Sequence, residues 1–222
     1  MAASLESKTL KILPALLGLP IPPTLAPHYN IAPSQPIACV RTDPQTAERK
    51  CIELKWGLVP SWAKDGSIGN KMINARSETA AEKPSFKNAF KQQRCVVLAD
   101  GFFEWKREGK AKEPYYFRFK DRRPFCFAGL WERWDKRPED PLETCAMLTI
   151  GPNTLMKPIN HRMPVILQEK DYETWLDPKI QDPRFLACLL QPYPPEDMEA
   201  FPVSPIVNNP KNDSERCIEL FG

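Results

Sequence analysis

The chain has 222 residues, 42% hydrophobic and 27% charged, the balance of a globular protein long enough to bury one sizeable core. No apolar run approaches the roughly 20 residues a membrane helix needs, and the start shows no basic segment followed by an apolar one, so no signal peptide is expected. Formal net charge is only +3, and 25 prolines against 9 glycines favour many short elements and fixed loops over long helices.

In chain order, the first 20 residues predict a short helix. Ser4 or Ser7 would cap it, Leu10, Leu13 and Leu17 recur at helical spacing, and Gly18 and Pro20 would stop it; Pro14 would kink or restart it. After a proline-rich loop, residues 36–41 and 51–58 read as strands and 78–93 as a helix around Phe86, Ala89 and Phe90. Residues 94–99 form an apolar run short enough for a buried strand. Alternation predicts a strand over 115–120 and another over 125–131 after a turn at 121–124. Further strands are expected at 144–150 and 164–167, short helices at 170–176 and 183–190, and a late strand at 204–207. Many short strands with few helices give an α+β, β-rich single domain over residues 1–222, with a barrel-like antiparallel core and short peripheral helices.

Seven cysteines, at 39, 51, 95, 126, 145, 188 and 217, include no Cys-x-x-Cys pair. Buried free thiols in a reducing cytoplasm explain them best. With only two histidines, the spacing argues against zinc. Charge is unevenly spread. From Glu169 onward there are 5 basic and 11 acidic residues, so the first 168 residues carry +9, and Lys106–Arg123 hold 8 basic and 3 acidic residues. That pattern fits either a polyanion-binding face or a solvated hairpin with lysines at its tip.

Three polar groups sit in unusual company. Asn74-Ala75-Arg76-Ser77-Glu78-Thr79 follows the aromatic loop Trp56-Gly57-Leu58-Val59-Pro60-Ser61-Trp62. Asn74, Ser77 or Thr79 could cap a helix, but capping leaves Arg76 without a role, and arginine beside asparagine suits phosphate or carboxylate recognition. In Asp100-Gly101-Phe102-Phe103-Glu104-Trp105-Lys106, a carboxylate stands between aromatic rings. Lost hydration there favours the protonated form, and such a glutamate can exchange protons near neutral pH; the plainer reading is an exposed glutamate paired with Lys106 or Arg107. In Asn160-His161-Arg162-Met163-Pro164, His161 stands just before an apolar strand, where catalytic groups are often carried, although a lone histidine is usually structural. His28 lies in a proline-rich loop and is given no role.

Of six tryptophans, Trp56, Trp131 and Trp175 read as core. Trp62, in a Pro-Ser-Trp-Ala-Lys-Asp loop, reads as a solvent-facing platform on which an unpaired base could stack. The chain has no Walker loop, Gly-x-Gly-x-x-Gly, Gly-x-Ser-x-Gly or His-Glu-x-x-His, which removes most nucleotide-dependent, serine-hydrolase and zinc-protease readings.

The chain resembles the SOS response-associated peptidase (SRAP) family of abasic-site processing proteins. The likeness runs through Tyr29-Asn30-Ile31-Ala32-Pro33, the 56–62 loop, the 74–79 segment, Asp100–Trp105, Arg162-Met163-Pro164 and Val207-Asn208-Asn209-Pro210. The resemblance implies a cytoplasmic monomer, nucleoid-associated when bound to DNA, that processes abasic sites in single-stranded DNA without metal or cofactor. In the family, a Cys exposed at position 2 by removal of the initiator methionine forms a Schiff base with the ring-opened sugar, and its thiol closes a thiazolidine, leaving a stable DNA–protein crosslink. Self-processing peptidase activity is also implied. By residue, Asn74 would hold the sugar oxygens, Glu104 would shuttle protons, and His161 would join them as a catalytic group. Arg76, Trp62, Trp105, Asn30 and Arg162 would lie along the DNA. Two departures stand out. Here the start reads Met1-Ala2-Ala3-Ser4 where the family has Met-Cys-Gly-Arg, so thiazolidine closure is not expected of this sequence. The family histidine falls on Asn160, with His161 one place later, and a one-residue shift in an extended segment turns a side chain to the opposite face. The alternative is a non-catalytic paralogue that only binds single-stranded DNA.

Overall fold

A computed structural model of the chain describes all residues except 21–24, 110, 137, 138, 140 and 222; most of the proline-rich loop expected after the first helix lies outside the described residues. The strands are β1 (Ala2–Leu5), β2 (His28–Ile31), β3 (Pro36–Thr42), β4 (Arg49–Trp56), β5 (Asn74–Arg76), β6 (Arg94–Ala99), β7 (Gly101–Glu108), β8 (Ala111–Phe119), β9 (Phe125–Trp134), β10 (Leu142–Ile150), β11 (Met163–Pro164) and β12 (Met198–Pro202). The α-helices are α1 (Ser7–Leu16), α2 (Ser77–Ala80), α3 (Lys87–Gln92), α4 (Tyr172–Leu176) and α5 (Pro183–Cys188). They are short and peripheral, as proline content dictates.

Strands β10, β4, β3, β6 and β9 form a ring that closes through β9 and β10, so no edge is left among its five members. Most pairings are antiparallel, which bears out the barrel-like antiparallel core expected; β4 and β5 run parallel to β10. A second, open sheet has the order β12-β8-β7-β1-β2. Period-two alternation divides its side chains. Ala3, Phe102 and Phe117 face the main core, while Ala2, Phe103 and Tyr116 pack against Val203, Val207 and Cys217 of the C-terminal segment. Phe102 stacks on Phe117 with centroids 5.0 Å apart and meets Phe127 of the barrel edge-on at 5.7 Å, joining the two sheets. Burying Trp56, Trp131 and Trp175 agrees with their reading as core, and each removes on the order of 150–250 Å² from water.

Several local expectations are corrected. The first five residues are not the start of a helix: Ala2–Leu5 pair with both β2 and β7, and α1 starts beyond Glu6, which makes no side-chain cap. The helix expected over 78–93 breaks into α2 and α3, since Pro84 has no N–H to continue it. The expected strand at 204–207 is a 3₁₀ turn, Pro205–Asn208, in which the Ser204 hydroxyl accepts from the Ile206 N–H. The late strand lies earlier, at β12, against β8.

Candidate functional site

Both sheets end at a cavity of about 780 Å³. Its lining comes from six separated stretches of chain, and each is held for a local reason. Alternation along β7 puts Glu104 on the same face as Phe102, toward the barrel. Central strand β1 pairs with β7 in the register Ala2 to Phe103, which brings the backbone nitrogen of Met1 to 3.8 Å from Glu104 Oε2. Strand β5 hangs on β10 with Asn74 opposite Met147, which presents Asn74 and Arg76 from the barrel side. The β7–β8 hairpin sets Arg107 opposite Lys112, and both reach the cavity.

Glu104 is 7% exposed. It does not pair with Lys106, which bridges to Glu108, nor with Arg107. Its Oε2 instead accepts a 2.8 Å hydrogen bond from Asn160 Nδ2. Asn74 Oδ1 is buried and has no hydrogen-bond partner among the described residues. An unpaired buried acceptor in a polar cavity is a place for a donor from outside the chain, and a hydroxyl fits it. Around this carboxylate and amide stand Arg76, Arg107, Lys112 and Arg162, so the lining carries an excess of positive charge.

Arg162 is held within the protein: its guanidinium makes a two-pronged contact with Glu78 at 2.6 and 2.8 Å and also donates to the Thr149 carbonyl. That hydrogen-bonded guanidinium draws the Glu78 carboxyl below its usual range, against a smaller effect of burial. Trp105 lines the cavity with its indole N–H on Asn208 Oδ1 at 2.6 Å. His161 lies at the exposed mouth, and Asn160 occupies the position facing Glu104. Asn30 is buried away from the cavity; its amide donates to the carbonyls of Val207, Asn209 and Asn212 and so holds the segment that carries Asn208. Trp62 is 55% exposed and lines a separate hollow of about 470 Å³ with Lys64 and Lys71. His28 binds Asp213 at 2.6 Å.

Residues the sequence reading gave no role are Asn160, Asn208, Arg107, Lys112 and Thr149. Arg107 and Lys112 lay in the basic run, and Asn208 in a quoted motif, but neither signal said which members would converge. Other described members of the run go elsewhere, such as Arg118 to Glu199 and Arg123 to Asp121, so the polyanion-face and solvated-hairpin readings each describe part of it. Among the described residues no three His, Cys, Asp or Glu side chains come together as a metal site, and no cysteine lines the cavity. The chemistry available is that of an amine beside a carboxylate, with an open amide acceptor and cations around them: proton exchange at nitrogen and binding of an anionic, hydroxyl-bearing carbonyl compound.

The family model described as SOS response associated peptidase (SRAP) matches residues 7–210. "Abasic site processing protein YoqW" of Bacillus subtilis is 49% identical over 87% of this chain and 86% of its own. "Abasic site processing protein HMCES" of Gallus gallus is 33% identical over 86% of this chain and 66% of its own. A crystal structure of a protein from Bacteroides thetaiotaomicron superposes with a TM-score of 0.74 at 31% identity, covering 85% of this chain and 82% of that one.

Proposed function

The chain belongs to the SOS response-associated peptidase (SRAP) family, and on that footing we propose that it captures the aldehyde form of abasic sites in single-stranded DNA through its N-terminal amine. The observation that carries the reading is the convergence of the Met1 nitrogen, the Glu104 carboxylate and the unpaired Asn74 carbonyl in one cation-rimmed cavity. Arg76, Arg107 and Lys112 would hold the phosphates flanking the lesion, and Asn74 Oδ1 would accept from a sugar hydroxyl.

The reaction balances with the groups present. Glu104 takes a proton from the ammonium; the freed lone pair attacks the aldehyde carbon, and a proton passes from the attacking nitrogen to the carbonyl oxygen, giving a neutral carbinolamine. Glu104 then returns its proton to the hydroxyl, the C–O bond breaks, water leaves and a protonated C=N bond forms. Neither residue here supplies a thiol: Met1 carries a thioether, and the methyl of Ala2 packs into the apolar cluster around Phe103. The adduct is therefore an imine that stays open to hydrolysis.

Incubation with an abasic oligonucleotide tests this. With borohydride, a heat-stable conjugate is expected whose mass locates the sugar on the N-terminal amine; without reductant, no heat-stable conjugate is expected. Glu104→Gln should slow trapping by about 10²–10⁴-fold, the usual worth of a general acid–base group. A conjugate that survives heating without reductant, or one formed elsewhere on the chain, would refute the mechanism. The missing thiol favours a second reading, a paralogue that binds single strands without chemistry. In that case borohydride traps nothing and an abasic site adds no affinity.

A further inference from the structure

We propose that Asn160 is a positioning residue that holds the Glu104 side chain turned toward the N-terminal amine. This rests on the carbonyl chemistry just proposed. The orientation of the Asn160 amide is fixed by its neighbours. Its Oδ1 accepts from the backbone N–H of Arg162 at 3.2 Å, and since a backbone N–H can only donate, that end of the amide must be the oxygen. The NH₂ end is therefore the one 2.8 Å from Glu104 Oε2. Asn160 is anchored on both sides: its own N–H bonds the Met156 carbonyl at 3.0 Å, and Arg162 is tied to Glu78 and Thr149.

The same Oε2 faces Met1 nitrogen at 3.8 Å, so one carboxylate oxygen sits between an amide donor and an amine. An amide N–H stabilises the ionised carboxylate and does not itself titrate. It can neither supply nor receive the proton that the carbinolamine steps exchange, so that proton passes between Glu104 and the amine side. The remaining charged groups around the cavity are Arg76 on β5, Arg107 on β7, Lys112 on β8, and His161 and Arg162 on the loop of Asn160. Substitution is the way to read the share of Asn160.

The test compares borohydride trapping of an abasic oligonucleotide by the wild-type chain, Asn160→Leu and Asn160→Asp across a series of oligonucleotide concentrations. Loss of the donor in Asn160→Leu should lower the maximal trapping rate roughly tenfold, the worth of one hydrogen bond to a charged group. Asn160→Asp keeps an acceptor for the Arg162 N–H but offers Glu104 no donor, and its rate should fall at least as far. Binding of the same oligonucleotide without reductant should change much less than the rate. A side chain that only supports folding would lower the melting temperature and leave the maximal rate of the folded protein in place, and wild-type maximal rates in both variants would overturn the proposal. A crystal structure of DNA-free Asn160→Leu gives a readout independent of the imine: the Glu104 carboxylate should turn away from the N-terminal nitrogen, and an unmoved carboxylate would sink the role of Asn160. If wild-type chain traps nothing, the imine reading fails and the position of the Glu104 side chain still decides on Asn160.

Discussion

At the scale of single residues, Asp100 does the most to place the start of the chain. It is 8% exposed, and its carboxylate accepts from the Ser4 hydroxyl, the Glu6 N–H and the Thr9 hydroxyl. The Tyr116 hydroxyl lies 2.7 Å from Ser4 Oγ and 3.3 Å from Asp100 Oδ1. The network ties β1 and α1 to β7 and β8, four residues along the extended chain from Glu104. Asp100→Ala would strand three donors, a loss of about 2–4 kcal/mol readable by urea titration, with trapping falling further than stability as the amine drifts. Gly101 next to it is glycine because a Cβ there would come 2.1 Å from the Tyr116 hydroxyl; Gly101→Ala should disturb the same network. Sequence reading quoted Asp100 and Gly101 at the head of the Glu104 motif but gave Asp100 no partner. Its contacts with Ser4, Glu6 and Thr9 lie more than ninety residues away in the chain, beyond the reach of any local pattern. Glu132 behaves differently. Burial raises its carboxyl pKa, only partly offset by Gln93 and by the backbone at Ser61 and Arg133. The folded state thus binds its proton more tightly than the unfolded state, and the stability this gives is present below the ordinary value of 4.5 and lost as pH rises. Glu132→Gln should therefore melt higher than wild type at pH 7–8, by about 2–4 °C, with the gap closing toward acid pH.

At the scale of elements, the bond from Arg162 to Glu78 and Thr149 straps three pieces together: α2, the end of β10 and the loop of Asn160. Glu78 is half exposed, so the pair contributes little to global stability, under about 1 kcal/mol. Its folded carboxyl pKa is lowered, so whatever it contributes is present above the ordinary carboxylate range and fades as pH falls through the lowered value. Glu78→Gln should leave the melt nearly unchanged and slow borohydride trapping several-fold, because the loop that carries Asn160 loses its outer anchor. Elements legible in the sequence were those with a sharp local signature. The run 94–99 coincides with β6, and 144–150 falls inside β10. Elements that depend on distant partners were not legible. Strand β1 carries only small residues before Leu5, β5 is three residues long, and both exist because β7 and the stretch of β10 beyond its pairing with β4 offer them partners.

At the scale of the whole molecule, the uneven charge read from the sequence resolves into a place. Three cations that pair with no carboxylate among the described residues, Arg76, Arg107 and Lys112, surround a single buried glutamate. Single-strand affinity should fall with salt at a log–log slope near −2, about 0.7 per phosphate contact. Reversing Arg107 and Lys112 together to glutamate should flatten it by more than half, as fluorescence anisotropy across a salt series would register. The kinds of group needed were legible, since Asn74, Glu104 and Arg76 were picked from their own neighbourhoods and meet in one cavity. The assignment of Asn30 to the DNA was not supported by its contacts, because its amide holds the 207–212 backbone. A quoted motif can thus serve the cavity at one remove.

The closed barrel also bears on the sulfur atoms. Cys39, Cys51, Cys95, Cys126, Cys145 and Cys217 are buried, and Cys188 on α5 is exposed. Burial pushes the thiol of Cys51 up to about 11, and those of Cys39 and Cys126 rise as well, which keeps them from forming thiolate. A maleimide dye should thus label the native protein with single stoichiometry and take seven equivalents only after denaturation. Cys188 lies outside the cavity lining, which offers a ready attachment point for a fluorophore that leaves the reactive end of the chain untouched.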